Sequence, residues 1–197
     1  MIRISIIPTV KKYYNSYIFG VDKQLVVFLN KLFKKNYIEV LSSKSNLKTD
    51  LLIIAGGNTI TKFSKQKEDL IRSKLDNFFF KKALNKKIPI LGICHGSQYL
   101  ANKFGAKLKR DINHGKLRSH NLFVKDNLNK KIYKVNSYHN ISIEKCPNAL
   151  MVIGNTSEGY VEFFKHKRYN LTGIMWHPER EKKIKIFDKK TIKKIIK

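Results

Sequence analysis

Residues 87–101 decide the fold of this chain, and they read Lys87-Ile88-Pro89-Ile90-Leu91-Gly92-Ile93-Cys94-His95-Gly96-Ser97-Gln98-Tyr99-Leu100-Ala101. The apolar run over 88–93 predicts a buried strand, and the apolar side chains that follow at helical spacing predict a helix. A sharp turn between a strand and a helix presents its apex side chain to the open and usually strains the backbone there. Cys94 occupies the apex, between two glycines that leave room for the turn. The pattern indicates a nucleophilic cysteine, although a buried structural cysteine in an ordinary turn would have the same pattern.

A second apolar strand ends in a His-Pro-Glu step at residues 177–179. A thiolate nucleophile needs a base or ion-pair partner, and that base needs a third group to orient it. His177 and Glu179 fit these two roles, and Pro178 restricts the backbone between them so that both side chains project from one rigid turn. Taken alone, a histidine at a strand end would be interpreted as the cap of a loop. Together with Cys94, it predicts a catalytic triad of Cys94, His177 and Glu179.

These two motifs resemble the class I glutamine amidotransferase family, which includes the γ-glutamyl hydrolases of the peptidase C26 type. The resemblance extends over nearly the whole chain and includes two further motifs, Ala55-Gly56-Gly57-Asn58 and Val135-Asn136-Ser137-Tyr138-His139-Asn140. It implies an α/β fold of the flavodoxin-like kind, with a central, mostly parallel sheet flanked by helices and an added antiparallel β section. Since 197 residues fit one full-sized core, we expect a single domain over 1–197.

The resemblance also implies roles for residues around the triad. The backbone N–H groups of Gly57 and His95 would form an oxyanion hole. The γ-glutamyl end of a substrate would be held by five residues: Asn58, Gln98, Ser137, Tyr138 and His139. No metal or organic cofactor is expected, because the sequence has neither a C-x-x-C pair nor a His-rich metal spacing nor a Walker-type phosphate loop.

The implied reaction is hydrolysis of a γ-glutamyl amide through a γ-glutamyl thioester on Cys94, with release of glutamate. The leaving group stays open. The short length and the Asp22-Lys23-Gln24-Leu25 start of the first helix are similar to small enzymes of bacterial surface-polysaccharide (capsule) clusters that hydrolyse γ-glutamyl-CDP-amidate. The alternatives are a γ-glutamyl-aminobutyrate-type hydrolase and a glutaminase subunit that delivers ammonia to a synthetase partner. The motifs look more like the hydrolase branch.

The chain is strongly basic, with 41 Lys and Arg against 14 Asp and Glu and a net charge of +27. Such a charge could serve a nucleic acid, a membrane surface or an anionic small molecule. Most of it is lysine spread over every segment, whereas grooves that grip phosphate tend to use arginine. We interpret the charge as a solvated surface and expect an anionic small-molecule substrate, no specific nucleic acid and no membrane. A basic nucleic-acid-binding protein without enzymatic activity is the alternative from another class, and it would not depend on Cys94.

Two further features concern the cellular compartment. The N-terminus lacks a secretory apolar segment, and no apolar run approaches the length that spans a membrane. The two cysteines, Cys94 and Cys146, are too few for a disulfide framework. These features predict a cytoplasmic protein with a free nucleophilic thiol.

Alternating strands and helices up to residue 105 predict a doubly wound sheet, and short apolar runs after it predict a β-meander. The expected strands are 4–7, 37–41, 50–55, 88–93, 122–124, 132–135, 141–143, 150–153, 160–164 and 171–176. Besides the helix after Cys94, the expected helices are 22–35, 65–86 and 188–196. The side chains expected on the inward face of helix 65–86 are Leu70, Ile71, Leu75, Phe78, Phe79 and Leu84. Residues 13–17 are expected to be an aromatic loop, and the loop over 110–120 is a candidate for reading an anionic part of the substrate.

Overall fold

The computed structural model describes residues 1–111, 118–126 and 129–196. The strands in these ranges are β1 (Ile2–Ile7), β2 (Thr9–Tyr13), β3 (Ser16–Gly20), β4 (Asn36–Val40), β5 (Leu51–Ile54), β6 (Ile90–Ile93), β7 (Lys107–Arg110), β8 (Ser119–Asp126), β9 (Asn129–Asn136), β10 (Ile141–Lys145), β11 (Leu150–Asn155), β12 (Val161–His166) and β13 (Leu171–Ile174). The helices are α1 (Lys23–Leu32), α2 (Lys67–Asn85), α3 (His95–Lys103) and α4 (Ile186–Lys193), with one 3₁₀ turn at Pro178–Arg180.

The centre of the molecule is a parallel sheet, which in the described part of the chain has the order β4-β1-β5-β6-β13. Every residue of β5, β6 and β13 is buried, as expected for parallel strands covered on both faces. The same sheet continues beyond β13 through the antiparallel strands β12, β11, β8 and β9. The prediction of a mostly parallel sheet with an added antiparallel section is confirmed.

Helices cover the two faces of this sheet. Leu29 of α1 and Ile192 of α4 pack into one buried apolar cluster, and Phe79 of α2 and Leu100 of α3 pack into another on the opposite face. Their burial removes apolar surface from water, which is the main driving force for the fold. Within the described ranges, no helix combines the length and the apolar composition needed to cross a membrane.

Two sequence-based predictions about strands are wrong. The aromatic residues 13–17 are not an open loop before α1 but the tip of an antiparallel hairpin, in which β2 and β3 pair over Thr9–Gly20 around a turn at Tyr14 and Asn15. The antiparallel part is not a simple meander, because β10 leaves the order and pairs with β12 and with β7. Strand β7 was not expected, since Leu108 is its single apolar residue and also its single buried one.

The inward face of α2 also differs from the prediction. Phe79 is buried as expected, but Leu70 is 44% exposed and Phe78 is 42% exposed. Arg72 and Asp76 are both fully buried in their place. An apolar-periodicity argument places charged residues outward, and it fails here because the two charges form an ion pair within the structure.

The carboxyl ends of the parallel strands bring three of the sequence motifs together. Strand β6 lies between β5 and β13, in register with both. Gly56 and Gly57 follow β5, Cys94 follows β6 directly, and His177 follows β13. Open α/β sheets place their ligands at this edge.

Candidate active site

Cys94 lies in the turn between β6 and α3, with φ 50° and ψ −102°. A non-glycine residue with positive φ is strained, and such strain concentrates at functional sites. The backbone is held on both sides: Cys94 N–H donates to the Ile174 carbonyl at 2.8 Å, and the Cys94 carbonyl accepts from the Gln98 N–H at 2.9 Å. A Cβ at Gly96 would collide with the carbonyl oxygen of Ile54. The predicted turn is therefore present, and it depends on glycine at that close approach.

His177 is buried and oriented by Glu179. The Nδ1 atom of His177 lies 2.6 Å from Oε1 of Glu179, so Nε2 is the ring nitrogen left for Cys94. A Cβ built on Gly56 would lie 2.6 Å from Cε1 of His177 and 3.5 Å from Cβ of Cys94. Both side chains thus crowd the same glycine, and the structure brings together the three residues of the predicted triad.

The electrostatics of the pair favour a thiolate and an imidazolium. Burial raises the pKa of Cys94, but the charge and hydrogen bond of His177, together with the charge of His139 and the His95 N–H, outweigh it, so that this pKa lies below its ordinary value. Burial lowers the pKa of His177, yet the charge of Cys94, followed by Glu179, raises it overall to about 9. A depressed cysteine pKa beside a raised histidine pKa is the arrangement of an activated cysteine nucleophile.

Asn136 holds the backbone of His177, a role that the sequence did not reveal. Its side-chain Oδ1 accepts from the His177 N–H at 2.8 Å, and its Nδ2 donates to the His177 carbonyl at 2.8 Å. The same Nδ2 donates to Glu181 at 2.9 Å. The signal available in the sequence was the position of Asn136 next to the predicted binding residues. Its partner, His177, lies 41 residues away in the chain, so the sequence did not reveal the bond.

The two predicted oxyanion donors belong to the turn after β5 and to the first residue of α3, which follows Cys94 directly. The backbone N–H of His95 hydrogen-bonds to the Cys94 sulfur and contributes to its lowered pKa. Gly57 has φ 121°, which an L side chain rarely adopts, and a Cβ there would clash with Thr9. The Thr9 hydroxyl donates to the Gly56 carbonyl at 2.8 Å and so fixes the turn after β5. The pairing of these two N–H groups as an oxyanion hole stays a prediction.

One of the predicted binding residues, Tyr138, lies beside the triad, and its neighbour Ser137 is buried. The ring of Tyr138 stands perpendicular to that of His177 with centroids 5.5 Å apart, and Arg180 lies 4.5 Å over the same tyrosine ring. The buried hydroxyl of Ser137 has no hydrogen-bond partner among the described residues. A buried hydroxyl without a hydrogen-bond partner destabilises the folded state unless a ligand bonds to it. This agrees with a binding role for Ser137.

His139 belongs to a buried charged group below Cys94. Its Nε2 lies 3.4 Å from Oε1 of Glu162, whose other oxygen lies 3.2 Å from Nε2 of His120. Burial lowers the pKa of His139, but Glu162, and less strongly Cys94, raise it above its ordinary value. His139 in turn lowers the pKa of Cys94. Its contribution to the site is therefore electrostatic.

The side-chain amides of Asn58 and Gln98 bond to the protein itself. Asn58 exchanges two 2.9 Å hydrogen bonds with the backbone of Val10. Gln98 Nε2 donates to the Ile141 carbonyl at 2.9 Å. Their contact with a substrate stays a prediction, and both side chains also shape the segments that border Cys94.

A cavity of about 500 Å³ opens beside His177 and Glu179. Its walls come from the turn after β5, from the hairpin and from the start of α1, and they carry the cations Lys11 and Arg180. A larger groove, of about 830 Å³, lies against α4 and is lined by none of the triad residues. The loop over 110–120 was predicted as a candidate for binding an anionic part of the substrate. Three of its residues, His114, Gly115 and Lys116, lie outside the described residues.

No group of three or more His, Cys, Asp and Glu side chains within 1–111, 118–126 and 129–196 is arranged to hold a metal ion.

The chain is similar to known proteins in sequence. The family model described as Peptidase C26 matches residues 44–179. The γ-glutamyl-CDP-amidate hydrolase of Campylobacter jejuni is 35% identical over 130 residues, which are 66% of this chain and 62% of that enzyme. A glutamine-hydrolyzing GMP synthase subunit of Methanococcus vannielii is 29% identical over 132 residues, which are 65% of this chain and 63% of that protein. The matched part of the chain thus spans a little over three fifths of the length of either relative.

The fold also has a counterpart among solved structures. The crystal structure of a glutamine amidotransferase from Thermotoga maritima matches 90% of this chain and 76% of that protein with a TM-score of 0.67 and 18% identity. At that identity the likeness concerns the fold, and it agrees with the sheet order described above.

Proposed function

We propose that this chain, which belongs to the peptidase C26 family, is a cysteine-dependent γ-glutamyl hydrolase. The similarity to a γ-glutamyl-CDP-amidate hydrolase supports a hydrolase that acts on a glutamyl amide. The observation that carries the catalytic assignment is the cluster at the sheet edge, where His177, oriented by Glu179, lies beside the strained Cys94.

In the proposed reaction, the thiolate of Cys94 attacks the γ-carbonyl carbon of a γ-glutamyl amide and forms a C–S bond. The backbone N–H groups of Gly57 and His95 donate to the resulting oxyanion; removing one such donor typically costs about 10²–10³ in kcat. The C–N bond then breaks, and the leaving nitrogen takes a proton from the His177 imidazolium. His177 next removes a proton from water, which attacks the thioester, releases glutamate and regenerates the thiolate.

We infer γ-glutamyl-CDP-amidate as the substrate and surface-polysaccharide (phosphoramidate) biosynthesis as the setting. The Campylobacter relative bears the name of this activity. The cavity beside His177 is lined by Lys11 and by Arg180, which lies 3.5 Å from the Asp22 carboxylate of the same cavity; the two cations suit the negative charge of a nucleoside diphosphate leaving group. The exposed ring of Tyr138, beneath Arg180, offers a surface for the nucleotide part.

A glutaminase subunit is the second candidate, and one observation favours it. The Methanococcus relative is named as one subunit of a glutamine-hydrolyzing GMP synthase. A protein of that kind would act on glutamine and deliver ammonia to a synthetase partner, so its activity would rise when the partner is added.

The test measures glutamate release by the isolated protein from three substrates: glutamine, γ-glutamyl-aminobutyrate and γ-glutamyl-CDP-amidate. We expect turnover of the nucleotide conjugate by the wild type, none by Cys94→Ala, and unchanged turnover by Cys146→Ala. Cys146 is the matched control because burial raises its pKa to about 11, which leaves it a poor nucleophile at neutral pH.

Full glutamate release by Cys94→Ala would contradict the mechanism. Release from glutamine alone, or only after a synthetase is added, would favour the glutaminase subunit over the hydrolase.

A further inference from the structure

The inward face of α2 carries a pair of opposite charges that the proposed chemistry does not use. Arg72 and Asp76 are both fully buried, and Arg72 Nε donates to Asp76 Oδ1 at 2.8 Å. Burying two charges is unfavourable unless their geometry is good and further hydrogen bonds satisfy them. The additional partners of this pair therefore indicate what the pair holds in place.

Those partners belong to the turn after β5 and to the first residue of α3. Arg72 Nη2 donates to the Ala55 carbonyl at 2.7 Å. Asp76 Oδ2 lies 2.8 Å from His95 Nε2, and His95 Nδ1 lies 2.8 Å from the Asn58 carbonyl. A carbonyl oxygen and a carboxylate oxygen both accept hydrogen bonds, so each nitrogen of the His95 ring faces an acceptor. A chain of buried hydrogen bonds thus runs from Ala55 through α2 and His95 to Asn58.

The same turn is also tied to α2 at its far end. Asp69 Oδ1 accepts from Asn58 Nδ2 at 2.9 Å and from the Thr59 N–H at 3.0 Å. The carbonyl of Asn58 that receives the His95 bond is therefore itself fixed. Because α2 bonds to both ends of the four-residue turn, the backbone between them has little freedom.

We propose that Arg72, Asp76 and His95 form a brace that sets the distance between the two oxyanion donors. Gly57 lies between the two carbonyls that the brace bonds, and the second donor is the N–H of His95 itself. Donors act best within about 2.7–3.1 Å of the oxyanion, and a misplacement of about 1 Å can cost about 10²-fold in rate. The three brace residues are positioning residues, and the proposal rests on the proposed function for the identity of the two donors.

The test compares two brace variants with a matched control. Asp76→Asn removes the central charge with little change in shape. His95→Leu cuts the link to Asn58 but keeps the backbone N–H and leaves the Arg72–Asp76 pair intact. The control is Asp188→Asn, because Asp188 of α4 is also buried and accepts from Trp176 Nε1 at 2.9 Å, on the opposite face of the sheet.

Three quantities are measured: kcat and KM for glutamate release, the rate of Cys94 alkylation by iodoacetamide, and NMR amide hydrogen exchange over residues 55–58. We expect both brace variants to lower kcat by about ten- to a hundredfold, with KM within about twofold. Alkylation should be unchanged, because it forms no oxyanion. Amide exchange over 55–58 should accelerate in the brace variants and not in Asp188→Asn.

Unchanged exchange over 55–58 in the brace variants would overturn the proposal, as would unchanged kcat or a parallel loss of alkylation. If Asp76→Asn fails to fold because Arg72 loses its counter-charge, His95→Leu decides the question. If the wild type releases no glutamate, the proposed function fails, and the exchange measurement still decides whether the brace exists.

Discussion

Cys94 and Cys146 have the same side chain and opposite electrostatics. Burial raises the pKa of both thiols, and for Cys146 no charge opposes it, so its pKa rises to about 11. For Cys94 the charge of His177, together with His139 and the His95 N–H, more than offsets burial. The difference lies in the neighbours, because desolvation penalises a thiolate and a nearby cation stabilises it.

Glu179→Gln tests the role of the acid beside His177. The imidazolium is the proton donor, so kcat/KM of the wild type should fall as pH rises through about 9, the pKa of His177. Removing the negative charge of Glu179 lowers that pKa, so the alkaline limb should move to lower pH. We also expect a loss of kcat of about 10²–10⁴.

A pH profile of glutamate release checks this prediction. Glu144→Gln is the control, because Glu144 forms an ion pair with Lys107 at the surface. An alkaline limb that stays in place in Glu179→Gln would contradict the assignment of Glu179.

Among the elements, the β2–β3 hairpin contributes most to the open side of the candidate site. Side chains alternate along a strand, so Lys11 and Lys12 point to opposite faces of the hairpin. Lys11 lines the cavity beside His177, whereas Lys12 borders a separate surface depression with Tyr17. The hairpin thus places Lys11 at the candidate site and the adjacent Lys12 away from it.

Lys11→Gln should therefore weaken binding of a substrate with an anionic leaving group. We expect KM for γ-glutamyl-CDP-amidate to rise about three- to tenfold, as for the loss of a partly exposed charge contact, with KM for glutamine unchanged. Lys12→Gln should change neither KM and is the matched control. Equal changes of KM in the two variants would indicate that the positively charged surface as a whole attracts the substrate and that Lys11 makes no specific contact with it.

In the molecule as a whole, acidic residues are few, with 14 against 41 basic ones, yet several of them are buried. Glu162 is fully buried between His120 and His139. Burial raises its pKa, but the charge of His139 and the bonds to both histidines lower it overall to about 2. The carboxylate therefore stabilises the folded state wherever it is ionised.

At this scale, Glu162→Gln should destabilise the protein in a pH-dependent way. The stabilisation from Glu162 is present above its ordinary pKa of 4.5 and is lost as pH falls towards about 2. The stabilisation from His139 is present below its ordinary pKa of 6.5 and is lost as pH rises through its raised pKa. The free energy of unfolding should thus differ most between about pH 4.5 and 6.5, by about 3 kcal/mol.

Urea unfolding of the wild type and Glu162→Gln over pH 2–8 measures this difference. A difference that stays constant down to pH 2 would show that the variant acts through packing and not through the charge.

Local sequence patterns predicted the parallel strands, the turn at Cys94 and the His-Pro-Glu turn. These features depend on local causes: apolar runs long enough to be buried strands, glycine where another backbone approaches, and proline where φ is restricted. Because parallel strands share one carboxyl edge, the same local patterns also predicted that Cys94 and His177 would meet. The helix after Cys94 and the sheet with two covered faces followed from the same patterns.

Local patterns did not predict the hairpin beside the cavity, the hydrogen bonds of Asn136 to His177 or the inward position of Arg72 and Asp76; these emerge in the folded chain. The last two of these depend on partners distant in the chain: Asn136 and His177 are 41 residues apart, and Arg72 bonds to a carbonyl 17 residues away. A charged side chain is buried only where such partners compensate for its lost hydration. Local periodicity contains no information about them, so it assigned both charges to the solvent.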